Sequence, residues 1–150
     1  MDNKHPGIKC FYNFIDAFNT VDKNQIIQNL HFPHVTHSNG NKPVIYENGD
    51  IFWESLQIQF DQMITREEWS YSTLDKCEII NETDRTLQCL VEFNRRTKNK
   101  KSYGTAKGIW VATLVDNIWA LQMRSMIPVS GKISSLAGTK MADGNLVDRP

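Results

Sequence analysis

Apolar residues in the first part of the chain recur at intervals of three and four, a spacing that predicts amphipathic helices. A first helix begins near Pro6. Its apolar stripe consists of Ile8, Phe11, Phe14, Ile15, Phe18 and Val21. The same spacing predicts a short helix over residues 23–30, which Pro33 prevents from continuing, and a long helix over residues 52–65.

Two short stretches between the second and third helices predict a β-hairpin. Residues 34–38 alternate in polarity, an Asn-Gly-Asn turn follows at 39–41, and a second extended piece covers 44–46. Asn48 or Asp50 then stands where the long third helix needs a capping side chain.

After residue 72 the polarity pattern changes to a period of two, which predicts consecutive antiparallel strands. Residues 82–84 and the pair Asp116-Asn117, which tolerates positive φ, predict two tight turns, and residues 97–101 form a polar loop. Uninterrupted alternation then pairs Trp110 with Met123. It assigns one apolar inner face to Leu87, Cys89, Val91, Phe93, Trp110, Ala112, Leu114, Trp119, Leu121 and Met123.

The same alternation predicts the composition of the outer face of this sheet. Its residues are Leu90, Glu92, Asn94, Ile109, Val111, Thr113, Ala120, Gln122, Arg124 and Met126. An apolar patch on central strands is rarely left bare in a monomer, and a second copy related by a two-fold axis is the simplest cover. We therefore expect a homodimer whose contact consists of Ile109, Val111, Ala120, Arg124 and Met126.

Length and composition fit a single domain of 150 residues, with 40% hydrophobic residues. Lys plus Arg and Asp plus Glu both number 17, which argues against dedicated nucleic-acid binding. No apolar run is long enough to span a membrane, the start has no secretory signal pattern, and the three cysteines form no C-x-x-C pair. We expect a soluble cytoplasmic protein, with the domain over residues 1–128 and an irregular or mobile tail over 129–150.

The order of elements, helices and a hairpin followed by an antiparallel meander, is typical of an α+β fold. With Phe14 to Asn19 followed by Asp22, and with the segments 69–75, 91–95 and 109–125, the chain resembles the nuclear-transport-factor-2-like (NTF2-like) superfamily. This superfamily includes SnoaL-like cyclases, ketosteroid isomerases and scytalone dehydratase, and the late segment looks like its uncharacterised bacterial members. The resemblance covers residues 8–128. It implies a cone: a curved antiparallel sheet, made of a four-stranded meander plus a small hairpin, packed against three helices.

The resemblance also implies a pocket between the first helix, the third helix and the concave sheet face. Mapped onto this chain, the ligand-binding residues are expected to be Phe14, Phe18, Trp53, Tyr71, Phe93, Trp110, Met123 and Ser125. An apolar cleft with a few polar groups is the usual form of a ligand site. The alternative is that these large side chains fill the cone completely.

Ketosteroid isomerase chemistry requires acidic groups that this chain lacks at the matching positions, which hold Phe14, Ser38 and residues 106–108. A scytalone-type dehydratase requires sheet histidines, and no histidine follows His37. His37, whose imidazole suits proton transfer near neutral pH, is then the candidate acid/base, with Asn19 and Arg95 as the other candidate catalytic residues.

Three functions therefore stay open. The first is a homodimer that binds a small apolar or amphipathic molecule; the second is a cofactor-free SnoaL-like cyclase, isomerase or hydratase; the third is a non-catalytic dimerisation or interaction module. We expect no cofactor, because the chain has no phosphate-binding glycine loop, and no metal, because strand alternation directs His34 and His37 to opposite faces. A cavity reached by His37 favours the enzyme, a cavity lined by Phe and Trp favours binding, and a filled cone favours the interaction module.

Overall fold

The structure, a computed structural model, describes residues 5–136, 140–142 and 145–147. The helices are α1 (Ile8–Phe18), α2 (Lys23–Ile27) and α3 (Gly49–Gln62), the last followed by a π-helical turn (Met63–Glu67). The strands are β1 (Leu30–Ser38), β2 (Val44–Tyr46), β3 (Tyr71–Glu82), β4 (Thr86–Arg96), β5 (Ser102–Val115), β6 (Ile118–Gly131), β7 (Lys140–Ala142) and β8 (Asn145–Val147). Six of them form one sheet in the order β2-β1-β6-β5-β4-β3. The predicted α+β class is confirmed.

The predicted small hairpin is present, and its first strand makes an additional pairing that the sequence does not predict. β1 pairs with β2 in antiparallel fashion and also with β6 in parallel, which joins the hairpin to the meander in one mixed sheet. The prediction that the second helix reaches residue 30 is wrong, because α2 ends at Ile27 and Leu30 already lies opposite Leu121 as the first residue of β1.

The helices cover the inner face of the sheet because their apolar stripes match it. Phe11 and Phe14 of α1 are 0% and 1% exposed. At the start of α3, the Asn48 side chain accepts a hydrogen bond from the backbone N–H of Ile51 at 3.0 Å, which identifies Asn48 as the cap.

The first part of the meander follows the predicted register. Asp116 and Asn117 adopt φ values of 52° and 63°, as a tight turn between right-twisted strands requires. The turn sets Leu114 opposite Trp119. Three residues on the neighbouring strands, Leu87, Cys89 and Ala112, are fully buried on the predicted inner face.

Gln122 interrupts this alternation. Leu121 pairs with Ala112 and Met123 with Val111, so that Gln122 is an extra residue on β6 and forms a β-bulge. One extra residue exchanges the two faces for the rest of the strand. Met123 is therefore 40% exposed on the outer face, whereas Arg124 is 7% exposed on the inner face, and the predicted positions of both were wrong.

The bulge also changes the predicted homodimer surface. Met126, like Arg124, points inward and is 1% exposed. Ala120 is 1% exposed within the single chain and offers no surface for a partner. Of the predicted contact residues, Ile109 and Val111 stay on the outer face.

The end of the sheet continues past the predicted domain limit at residue 128. β6 extends to Gly131, the backbone N–H of Lys132 donates to the Tyr103 carbonyl at 3.0 Å, and Leu136 is 3% exposed. β7 and β8 form a separate two-stranded hairpin, and residues 137–139, 143–144 and 148–150 of the predicted tail lie outside the described ranges. Among the described helices, none has the length and apolar character needed to cross a membrane.

Candidate functional site

A cavity lies between α1, α3 and the inner face of the sheet. Its lining consists of Phe14, Ile15, Phe18, Gln59, Ser72, Phe93, Arg95, Trp110, Arg124 and Met126. Its empty space amounts to about 370 Å³, including the mouth that opens to solvent, but the interior is narrow and holds about one water molecule. The cone is thus mostly, but not completely, filled.

Aromatic rings form much of the wall. Phe14 packs edge-to-face on Trp110 with 5.7 Å between ring centroids, and Phe18 lies 5.9 Å from Phe14. Phe93 lies 6.4 Å from Trp110 on the neighbouring strand. These four side chains surround the cavity as the sequence analysis expects, while their role in binding stays a prediction.

The first of two arginines on the wall, Arg95, has an internal counterion. Its Nη1 lies 3.1 and 3.2 Å from the two carboxylate oxygens of Glu67, which is 4% exposed. Glu67 also accepts hydrogen bonds from the Tyr103 hydroxyl at 2.6 Å and from the backbone N–H and the hydroxyl of Ser134. Burial and this carboxylate raise the pKa of Tyr103, so the phenol stays protonated as a donor.

Asp75 on β3 and Glu92 on β4 lie near cations other than Arg95. Arg96 is the residue near Asp75, at 3.8 Å, and Lys107 lies 3.6 Å from Glu92. The π-helical turn after α3 brings Glu67 under the sheet instead, where it neutralises Arg95 inside the cone.

The second arginine, Arg124, has no carboxylate partner among the described residues. Its Nε donates a hydrogen bond to Nε2 of His34 at 3.3 Å. The guanidinium carbon lies 4.7 Å from the ring centroid of Phe14 and 6.0 Å from that of Phe52. Burial lowers the pKa of Arg124 to about 10, which still leaves it a cation at neutral pH. Within the described part of the chain, the wall of the cavity therefore carries one positive charge without a counterion.

His34 provides a neutral support for this cation. Burial, and then the positive charge of Arg124, hold the pKa of His34 well below its ordinary value. Because Nε2 accepts from Arg124, we assign the ring proton to Nδ1. Nδ1 has no hydrogen-bond partner among the described residues, and the Leu121 backbone, the smallest of the three influences, raises the pKa of His34.

The indole of Trp110 contributes a second donor beside the cavity. Trp110 is the cross-strand partner of Arg124, and its Nε1 donates to the thioether sulfur of Met126 at 3.0 Å. A thioether is a weak acceptor. Gly108, opposite Met126, makes room for that side chain, since a Cβ there would lie 2.5 Å from the sulfur.

The predicted catalytic residues do not meet at this cavity. His37 lies on the outer face, where its Nδ1 is 3.0 Å from the hydroxyl of Ser125, the cross-strand neighbour of Ile109. Asn19 fastens α1 to β3, because its amide donates to the Ser72 carbonyl and accepts from the Ser72 N–H, both at 2.8 Å. His37 therefore does not reach the cavity, because His34, Thr36 and Ser38 are the buried residues of this part of β1 and residue 37 faces the other way.

Other predicted ligand-binding residues also lie elsewhere. Trp53 packs on Phe60, and neither Trp53 nor Tyr71 lines the cavity. Met123 and Ser125 lie on the outer face. Four further residues line the cavity although the sequence pattern does not predict them there: Gln59, Ser72, Arg124 and Met126. The bulge in β6 accounts for the last two. Within the described ranges, no group of His, Cys, Asp and Glu side chains is arranged to hold a metal ion.

Comparison with known proteins identifies the fold. The chain matches no protein-family profile and no curated protein. Among solved structures, a cystatin-like protein of unknown function from Nostoc punctiforme is 9% identical, with 81% of this chain and 87% of the other covered and a TM-score of 0.62. An NTF2-like protein from Cytophaga hutchinsonii is 12% identical over 86% and 100% of the two chains, with a TM-score of 0.62.

A ketosteroid isomerase-like protein from Erwinia carotovora atroseptica is 11% identical over 87% and 99% of the two chains, with a TM-score of 0.60. At these identities the likeness shows the fold alone, since this cone carries unrelated activities. The fold is that of the NTF2-like, cystatin-like proteins, and the resemblance seen in the sequence is confirmed at this level.

Proposed function

We propose that this NTF2-like cone is a binding protein for a small amphipathic molecule, which it takes into the cavity between α1, α3 and the sheet. The observation that carries the proposal is the combination of an aromatic wall with a few inward-pointing polar groups, Ser72, Gln59 and the two arginines. Ligand sites in proteins have this composition: apolar walls supply affinity, and a few placed polar groups fix orientation.

Binding is better supported than catalysis. The described residues that line the cavity include no carboxylate, imidazole, phenol or thiol, which are the usual groups for acid/base work. His37, the candidate acid/base of an enzyme, lies on the other face of the sheet. A cyclase, isomerase or hydratase would have to draw its proton carrier from the ligand or from outside this lining.

The narrow interior requires the wall to adapt when a ligand enters. Met126 and Gln59 are unbranched, flexible side chains on opposite sides of the cavity, one from β6 and one from α3. Their displacement would widen the space beside Trp110 without moving the backbone. We therefore expect small, flat ligands and not large ones.

A ligand-observed fluorine NMR screen of amphipathic fragments tests this function. Gln59→Trp would fill the cavity, while Gln57→Trp places the same bulk on an exposed position of α3 and serves as the control. Fragments should bind the wild-type chain and Gln57→Trp but be lost in Gln59→Trp. Absence of any hit, or hits that survive Gln59→Trp, would reject binding in this cavity.

The outer face supports a second proposal, a homodimer. A groove with about 780 Å³ of empty space, including its opening to solvent, is called the outer groove; it is lined by Lys76, Glu78, Leu90, Val91, Glu92, Lys107, Gly108, Ile109 and Ile127. Leu90, Ile109 and Ile127 are each more than 40% exposed. The groove carries both lysines and glutamates. In a two-fold dimer, the lysines of one copy can therefore face the glutamates of the other, as a self-complementary contact requires.

The proposal also includes a cytoplasmic location. Cys10, Cys77 and Cys89 are all free thiols. Three free thiols in one small domain are typical of a reducing compartment.

A further inference from the structure

We propose that the ligand of this cavity is a small monocarboxylate, whose carboxylate is held by the guanidinium of Arg124 and the indole N–H of Trp110. This inference rests on the proposed function, since it names the chemical class of the molecule that the same cavity takes.

The charges on the wall indicate an anion. Arg95 is neutralised by Glu67 at 3.1 Å, and that carboxylate is already shared with Tyr103 and Ser134. Arg124 is 7% exposed and has no carboxylate partner in the part of the chain that the structure describes. A buried cation without a counterion is strongly disfavoured. A ligand with one negative charge would complete the pair that the protein leaves open.

The donors indicate a carboxylate in particular. Arg124 uses Nε for His34, which leaves its terminal N–H groups for an acceptor. Trp110 lies directly opposite on β5, and among the described residues its indole N–H donates only to the weakly accepting sulfur of Met126. When Met126 swings aside, the guanidinium and the indole N–H border the same space. A carboxylate presents two oxygens and can accept from both.

The rest of the cavity wall indicates that the remainder of the ligand is small and apolar. Phe18 and Phe93 offer ring faces and edges to the cavity, while Phe14 lies against the Arg124 guanidinium itself. Phosphate would bring a second negative charge and no apolar group to contact these rings. An arylacetate or a short-chain fatty acid matches both ends of the cavity.

Matched pairs of acids and amides test the inference. Phenylacetate and phenylacetamide, and acetate and acetamide, differ in charge but hardly in size. We expect the acid of a pair to bind the wild-type chain at least about tenfold more tightly than its amide, measured by NMR titration. Arg124→Met should abolish this preference, while Arg96→Met, which removes an arginine that pairs with Asp75 outside the cavity, should preserve it.

A measurement on the unmodified protein makes the test independent of how the variants fold. Phenylacetate labelled with ¹³C at the carboxylate reports its own titration, and beside Arg124 it should stay ionised to a lower pH when bound than when free. A bound acid that titrates at or above its free value would overturn the inference, as would an amide or inorganic phosphate that binds as tightly. If only amides bind, the inference that the ligand is a carboxylate is refuted, but the proposed binding function is not. If no fragment and no probe binds, the proposed function itself is refuted.

Discussion

Arg124 lies directly opposite Trp110 in the pairing of β5 with β6, so that a guanidinium and an indole share the inner wall of the cone. The bulge at Gln122 is responsible, because it turns Met123 outward and Arg124 inward. The strand thus places its charged residue inside and an apolar one outside. Burial of a charged side chain beside an exposed apolar one is a departure from the usual pattern, and such departures are found at functional sites.

Substitutions on either side of the bulge test its effect on the faces of the sheet. Met123→Lys should change the free energy of unfolding by no more than about 0.5 kcal/mol, because the side chain is already exposed. Met126→Lys should reduce it by about 3 kcal/mol or more, because it buries a second cation near Arg124. Urea unfolding measures both, and equal effects would show that the two methionines do not face opposite sides.

Removal of Glu67 tests the internal ion pair. Glu67→Gln leaves Arg95 buried without its counterion and should cost about 3–5 kcal/mol of stability. The double variant Glu67→Gln with Arg95→Met should recover much of this loss, since no charge is then left uncompensated. Simple addition of the two single effects in urea unfolding would mean that the residues are not coupled.

The pH dependence of stability tests the environment of His34. The unfolded chain protonates this histidine below its ordinary pKa of 6.5, whereas the folded chain does so only at a much lower pH. Unfolding therefore takes up a proton, and the stabilisation is complete above pH 6.5 and lost as the pH falls below it.

His34→Gln should remove this contribution, which reaches at most about 1.4 kcal/mol per pH unit. Unfolding curves of wild type and variant between pH 7 and pH 5 show the difference directly. His31→Gln, on the same strand, controls for the loss of a histidine from β1. If wild type and His34→Gln lose stability in parallel as the pH falls, His34 is not buried as a neutral ring.

A charge in the outer groove tests the homodimer. Ile109→Glu should halve the mass observed by sedimentation, because it places a carboxylate in a self-paired apolar contact. Ile51→Glu is a matched control, since Ile51 is 44% exposed on α3, away from this face, and Ile109 is 41% exposed. A wild-type chain that sediments as a monomer, or an unchanged mass for Ile109→Glu, would rule out this interface.

Periodicity was sufficient for much of the fold. The stripe of α1 up to Phe18, the Asp116-Asn117 turn and the inner positions of Phe93 and Trp110 follow from local patterns, because each depends on residues close together in the sequence. Val21, predicted in the same stripe, lies past the end of α1 and is 40% exposed. The resemblance to NTF2-like proteins, and not spacing, predicted that Phe14 and Phe18 line a pocket, and both lie on the cavity wall.

The polar part of the site could not be predicted in this way. A β-bulge leaves no periodic signal in the sequence. In β6, regular alternation would place Met123 inside and Arg124 outside, so the hydrophobic pattern argues against a bulge there. Glu67 and Arg95 are 28 positions apart in the sequence, and their pairing depends on a π-helical turn that the sequence pattern does not predict. His34, not His37, faces inward because β1 buries His34, Thr36 and Ser38, and which parity faces inward depends on the pairing of β1 with β6, a strand about 90 positions away in the sequence.

A crystal structure of the chain with phenylacetate tests the central claim most directly. We expect the carboxylate within about 3 Å of the terminal nitrogens of Arg124, with Met126 displaced from the Trp110 indole and the phenyl ring against Phe14 or Phe18. Arg124 paired with a protein carboxylate, or phenylacetate bound only outside the cone, would contradict the account.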